Sequence, residues 1–144
     1  MTDTQPPLTP GPRPNLLQAL HALEEAAAGP SPDTLAAAPL LHLWSPVLIG
    51  ADLCLAGEAT GHPHLPDGII TTSLLLALAQ DLTWARTFSR FYRLNRPLDA
   101  ALSEACASPN VHIIDAYGHQ AIPVPVARKW IERTAEWVRA RVGE

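Results

Sequence analysis

The chain has 144 residues and a formal net charge of −4, enough for one domain with a real core, since a domain near this size removes roughly two thirds of its unfolded surface from water. The acidic balance argues against non-specific nucleic-acid binding by the whole surface, because that affinity comes from neutralised phosphates. No apolar run, Leu74 to Ala79 included, approaches the roughly 20 residues of a membrane-spanning helix, so no membrane is expected.

Five of the 15 prolines fall within residues 1–14. With almost nothing apolar beside them, that stretch is expected to be a disordered Pro-rich tail, and 15–144 a single α+β domain. It has no apolar h-region and no small-residue cleavage site, so it does not read as a signal peptide. Cys54 and Cys106 show no CxxC or ligand spacing, which suits buried thiols in a reducing compartment, and a cytoplasmic protein is expected.

Asn15 can cap a helix running to about Ala28, with an apolar stripe of Leu16, Leu17, Leu20, Leu23 and Ala27 stopped by Gly29-Pro30. Ser31, Pro32 and Asp33 supply the cap, first-turn proline and first-turn acid of a second, short helix through Ala38. After the break at Ser45-Pro46 the period changes to two. Asp52 to Thr60 then reads as a strand, GHPHLPDG at 61–68 as a hairpin loop and Ile69 to Ala77 as a second strand.

The stretch TWARTFSRFYRLNRP, 83–97, follows as a third strand or a short helix. As a strand it places Trp84, Arg86, Phe88, Arg90, Tyr92 and Leu94 on one side; as a helix it stripes Trp84, Phe88 and Phe91 together. The threonine, the aromatics and the preceding hairpin favour the strand. Leu98 to Ala107 reads as a helix, and Val111 to Asp115 with Gln120 to Val124 as a hairpin turning at Ala116 to His119. A last helix from Pro125 shows an apolar face of Val126, Trp130, Ile131, Thr134, Trp137, Val138 and Val142. The sum is α+β: a small antiparallel sheet, a three-stranded meander plus a later hairpin, packed by an N-terminal helical hairpin and a C-terminal helix.

The strip at 83–97 carries four arginines, four aromatics and no acid. Arginines stack on aromatic faces and fork onto phosphates. The structural alternative sets the aromatics in the core and pairs the arginines with Glu58, Asp52 or Asp67 on neighbouring strands. His62 and His64 with His119 could hold a metal if the two hairpin ends met, but H-x-H in a loop recurs by chance, and no metal site or other cofactor is expected. Ser73, Ser89, Cys54 and Cys106 lack a nucleophile elbow or cysteine-enzyme signature, and no glycine loop cradles a phosphate. Trp130 and Trp137, seven apart, share a helix face. Buried, they hold the helix down; exposed, they offer a surface for a partner or a second copy.

The wording AAAGPSPDTLAAAPLL (26–41), GEATGHPHLPDGIITTS (57–73) and WARTFSRFYRL (84–94) resembles a family of small uncharacterised bacterial proteins, a domain of unknown function with the pattern G-H-P-x-L-P-D-G, T-S, then T-x-S-R-x-Y-x-L. The resemblance implies a small intracellular protein and carries over no catalytic residue. It locates a functional surface at His62, Pro63, Asp67, Thr72, Ser73, Arg86, Ser89, Arg90 and Tyr92, to which the arginine strip adds Arg93 and Arg96 as candidate binding residues.

The leading expectation is a small non-enzymatic interaction protein that binds a protein partner, an inhibitor or adaptor of a bacterial complex, possibly from a mobile element. The alternatives are a nucleic-acid-binding regulator using residues 84–96, and a metal-dependent enzyme using His62, His64 and His119. A homo-oligomer through Trp130 and Trp137 is compatible with each.

Overall fold

The computed structural model describes residues 13–98 and 115–142. The expected helix at 98–107 beyond Leu98, the strand up to residue 114, Cys106 and most of the N-terminal tail lie outside those residues. The element order is α1 (Arg13–Ala28), α2 (Pro32–Ala37), β1 (Leu40–Ile49), β2 (Asp52–Thr60), β3 (Gly68–Thr71), β4 (Leu75–Leu78), β5 (Trp84–Thr87), β6 (Phe91–Leu94), β7 (Asp115–Ala116), β8 (His119–Ala121) and α3 (Val124–Val142). The chain is α+β with a mostly antiparallel sheet, as its patterning implied.

The helical hairpin forms where its punctuation lies. Gly29, at φ +82, donates its N–H to the Glu25 carbonyl at 3.0 Å and closes α1 in the left-handed conformation that only glycine adopts at no cost. Ser31 caps α2, its hydroxyl accepting the Thr34 N–H at 3.1 Å.

The sheet runs in the order β3-β2-β1-β6-β5-β4. Its two end strands, β3 and β4, are joined in the chain by only Thr72–Leu74, so the sheet curls back on itself and the predicted strand 69–77 is bent into two at that corner. Five legs alternate in direction (β1, β2, the bent β3–β4, β5, β6). With an odd count the first and last run the same way, and the closing contact, Leu40 to Arg93 and Leu41 to Leu94, is parallel. Leu41, Trp44, Leu55, Leu75, Ala85 and Tyr92 fill the interior. Cys54 and Ala56, alternating with Leu53 and Leu55 along β2, pack on its outer side with Val47 and Ala116.

Sequence patterning does not reveal β1, because Pro46 reads as a break. The strand passes through it because its second neighbour changes there: β6 pairs with Leu40 and Leu41, and β8 with Val47 and Leu48. Pro46, lacking an N–H, falls in the gap between them and still accepts the Ile122 N–H at 2.9 Å. A register shift between His42 and Ser45, with Leu43 at φ +50, turns Trp44 fully inward. There Gly57 admits it: a Cβ on residue 57 would stand 3.1 Å from Trp44 Cα and from the His42 carbonyl oxygen.

The two long helices share one outer side of the sheet. Ala19, Ala22 and Leu23 of α1 meet Ala135 and Val138 of α3 over Leu76 of β4. Arg128 pins α3 to the sheet by donating to the carbonyls of Leu78 and Ala79, each at 3.0 Å. No described helix is long and apolar enough to cross a membrane.

Candidate functional site

The arginine and aromatic strip is not one strand. Thr87 turns it: its hydroxyl accepts the N–H groups of Ser89 and Arg90 at 3.3 Å and donates to the Arg90 carbonyl at 3.2 Å, offering the backbone a turn in place of a continued ladder. The reversal puts Ala85, Thr87, Tyr92 and Leu94 inside and Trp84, Arg86, Phe91 and Arg93 outside. Tyr92, expected beside Arg86, is therefore 3% exposed in the interior, and one side no longer carries Trp84, Arg86, Arg90 and Tyr92 together.

The arginines diverge with it. Arg86 lies under α1, pairs with Glu25, donates its Nε–H to the Thr87 carbonyl at 2.9 Å and stands 5.0 Å above the Phe91 ring. Its carboxylate partner is Glu25 on a helix, not Glu58, Asp52 or Asp67 on neighbouring strands. Arg93 donates to the Ala38 carbonyl at 2.9 Å, tying β6 to the end of α2. Arg96 is exposed past the end of β6, beside Glu58, His42 and Asn95.

Part of the motif surface does converge. His62, in the β2–β3 loop, sits with its ring 6.2 Å from Tyr92 and 6.1 Å from His64. Arg90, in the β5–β6 turn, acts electrostatically on both His62 and Tyr92. The Ser73 and Ser89 hydroxyls hydrogen-bond at 2.9 Å, and the Ser89 N–H donates to Ser73 Oγ at 3.2 Å, so the β3–β4 corner and the β5–β6 turn lock together beside it. Desolvation holds the His62 pKa below its ordinary value, with Arg90 and His64 adding to the effect. Burial pushes the Tyr92 phenol up, against the pull of Arg90. Asp67 closes the loop by accepting the Gly61 N–H at 3.1 Å.

The three histidines of the metal reading are not brought together. His62 follows the Thr60 end of the β1–β2 ribbon, opposite Leu40, while His119 adjoins the Val47 and Leu48 end. Seven residues of β1 separate those ends, roughly 23 Å at about 3.3 Å per residue. Among the described residues no three His, Cys, Asp or Glu side chains gather as a metal would require.

A second feature forms between the first turns of α1, the flank of α3 and the adjoining sheet and loops. It is a groove of about 740 Å³ lined by Leu16, Leu53, Leu74, Phe88, Trp130 and Trp137, with Asp52 and Arg133 among its polar residues. Trp130 is 36% and Trp137 50% exposed, so neither is a core residue. The last helix buries Ala127, Ala135 and Val138, with Ile131 and Val142 partly covered. Reading the bulkiest residues centres its apolar face wrongly; the signal that finds it is the row Ala127, Ile131, Ala135, Val138, Val142 at spacings of four and three. Small alanines on both helices permit their close approach, and the tryptophans are left on the flank. Arg141 stands 5.0 Å over the Trp137 ring.

A family model described as a family of unknown function, DUF6634, matches residues 7–135, most of the chain. No curated protein and no solved structure matches it.

Proposed function

The chain belongs to the DUF6634 family of unknown function, and we propose that it is a non-enzymatic interaction protein whose α1–α3 groove receives a macromolecular partner. The observation that carries the reading is the pair of tryptophans, exposed by a third and a half of their surface on the wall of a largely apolar cleft. Tryptophan is the residue most enriched at binding hot spots, and Leu16, Leu74 and Phe88 extend the patch beyond scattered surface apolar groups. Arg133 on the same wall offers a fixed charge for orientation. The role that fits is an inhibitor or adaptor of a bacterial complex. A cytoplasmic setting is part of the proposal, supported by the free, buried thiol of Cys54.

The strip 84–96 supports the competing nucleic-acid reading less well, since Arg86 and Arg93 are engaged with Glu25 and the Ala38 carbonyl. The test compares tagged wild type, W130E/W137E and R90E for proteins retained from lysate, together with labelled DNA and RNA at low salt. The proposal expects a protein held by wild type and R90E and lost from the tryptophan variant. Retention unaffected by the tryptophans, or oligonucleotide binding that R90E abolishes, overturns it.

A further inference from the structure

We propose that His62, Arg90 and Tyr92 form a binding site for the phosphoryl group of a small phosphate monoester. The site lies at the rim of the sheet where β1 begins and β2 ends, and none of the three residues lines the α1–α3 groove.

Its floor is a hydroxyl without a partner. Tyr92 is 3% exposed, yet among the described residues no hydrogen bond reaches its phenol oxygen. The buried threonines nearby are satisfied: Thr72 donates to the Ser73 carbonyl at 2.8 Å and Thr87 to the Arg90 carbonyl at 3.2 Å. Buried polar groups are almost always hydrogen-bonded in native proteins, so an orphan of this kind points to a partner from outside the chain. Burial keeps the phenol protonated, which makes it a donor.

Two further donors stand around it. His62, with its ring 6.2 Å from that of Tyr92, accepts the His64 backbone N–H on Nδ1 at 3.0 Å. The neutral imidazole therefore carries its proton on Nε2 and offers it outward. Desolvation and the neighbouring positive charges favour that neutral form. Arg90 precedes Tyr92 by two residues, so an extended chain sets both on one side, and its charge acts on the phenol and the imidazole alike. Unlike Arg86, which Glu25 holds, Arg90 has no carboxylate partner among the described residues.

The supports of these side chains are fixed in advance, which lowers the cost of binding. Asp67 closes the loop carrying His62 by accepting the Gly61 N–H at 3.1 Å. The Ser73–Ser89 pair, at 2.9 Å, holds the turn carrying Arg90.

Three donors and no acceptor specify an oxyanion. A guanidinium fork covers two oxygens; a carboxylate then has none left for the imidazole and the phenol, whereas a phosphoryl group has a third. The site is also a point and not a stripe. Arg86 and Arg93 are turned to Glu25 and the Ala38 carbonyl, so the strip does not set its arginines in a row along a polynucleotide backbone.

The test titrates the full chain with inorganic phosphate and with phenyl phosphate at an ionic strength held constant with chloride, following the His62 ring and the Arg90 amide by NMR. Half-saturation is expected on the order of 1 mM. Tyr92→Phe, which removes only the unpartnered hydroxyl, should melt no lower than the native chain and bind phosphate about tenfold more weakly; Arg90→Gln, at a half-buried position, should weaken it further. Undiminished binding in either variant overturns the proposal, as does a Tyr92→Phe chain that melts lower, which would make the phenol a structural group bonded to water. Resonances that stay in place at about 20 mM phosphate, well above that half-saturation, mean an adventitious ion only and overturn it too. Phenyl phosphate bound at least as tightly as inorganic phosphate supports the monoester, and its exclusion overturns it in favour of the free anion. An oligonucleotide without a terminal phosphate that moves the same resonances equally makes the rim a nucleic-acid surface and removes the small ligand.

Discussion

Arg86 of β5 and Glu25 of α1 form an ion pair in which the guanidinium is the buried member: its side chain is 12% exposed against 41% for the carboxylate. Removing the partner of a buried charge costs more than removing the charge itself, because the orphan cannot rehydrate. Glu25→Ala is therefore expected to lower stability by about 1–2 kcal/mol, toward the lower figure because the carboxylate is partly screened. Arg86→Met, which keeps an apolar stem over Phe91 and frees Glu25 to water, should cost less. Urea unfolding midpoints check the order, and a larger loss in Arg86→Met contradicts it.

The imidazole of His62 gives a pH dependence with a defined sign. Its folded pKa lies below the ordinary 6.5, first through desolvation and then through Arg90 and His64. Between the two values the unfolded chain binds the proton and the folded one does not, so stability falls as pH drops through 6.5 and the loss is complete below the folded pKa. Arg90→Gln is expected to raise the His62 pKa toward 6.5 in an NMR titration and to flatten that stretch of the stability curve. A His62 titration that stays where it was would remove Arg90 from the cluster.

Gly57 is held to glycine by the Trp44 backbone and by the His42 carbonyl, each 3.1 Å from where a Cβ would lie. Neither is the free end of a flexible side chain, so Gly57→Ala must displace β1 against β2. We expect a loss of about 1–3 kcal/mol and a red-shifted, more quenchable Trp44 emission. An unchanged melting temperature would show that the strands can separate locally without penalty.

The elements with chemical punctuation were legible in the sequence: Gly29-Pro30 and Ser31-Pro32 around the helical hairpin, the period-two run of β2, and the turn between β7 and β8. What was not legible depends on partners far away in the chain. Pro46 is a break only if both neighbours of β1 are continuous, and they are not. The strip at 83–97 is one strand only if Thr87 leaves its hydroxyl out of the backbone, and it does not. Half of the motif surface survived that reversal, His62, Arg90 and Tyr92 meeting through the loop and turn, while Arg86 and Arg93 were drawn to α1 and α2. The groove was missed because alanines, which carry no weight in a count of bulky residues, decide which face of α3 is buried.

The half-exposed indoles should matter less to folding than core aromatics do. Trp137→Ser is expected to cost about 1 kcal/mol, well below the roughly 3–5 kcal/mol of a fully buried tryptophan, because half of the ring already meets water. A loss of several kcal/mol in thermal unfolding would mean that Trp137 is a structural residue after all.

The most direct measurement is a calorimetric titration of the captured partner into wild type and into W130A/W137A, with circular dichroism confirming that the variant is folded. Loss of two hot-spot aromatics predicts an affinity at least about 30-fold weaker, roughly 2 kcal/mol. Equal affinity for the folded variant would contradict the assignment of the α1–α3 groove as the binding surface.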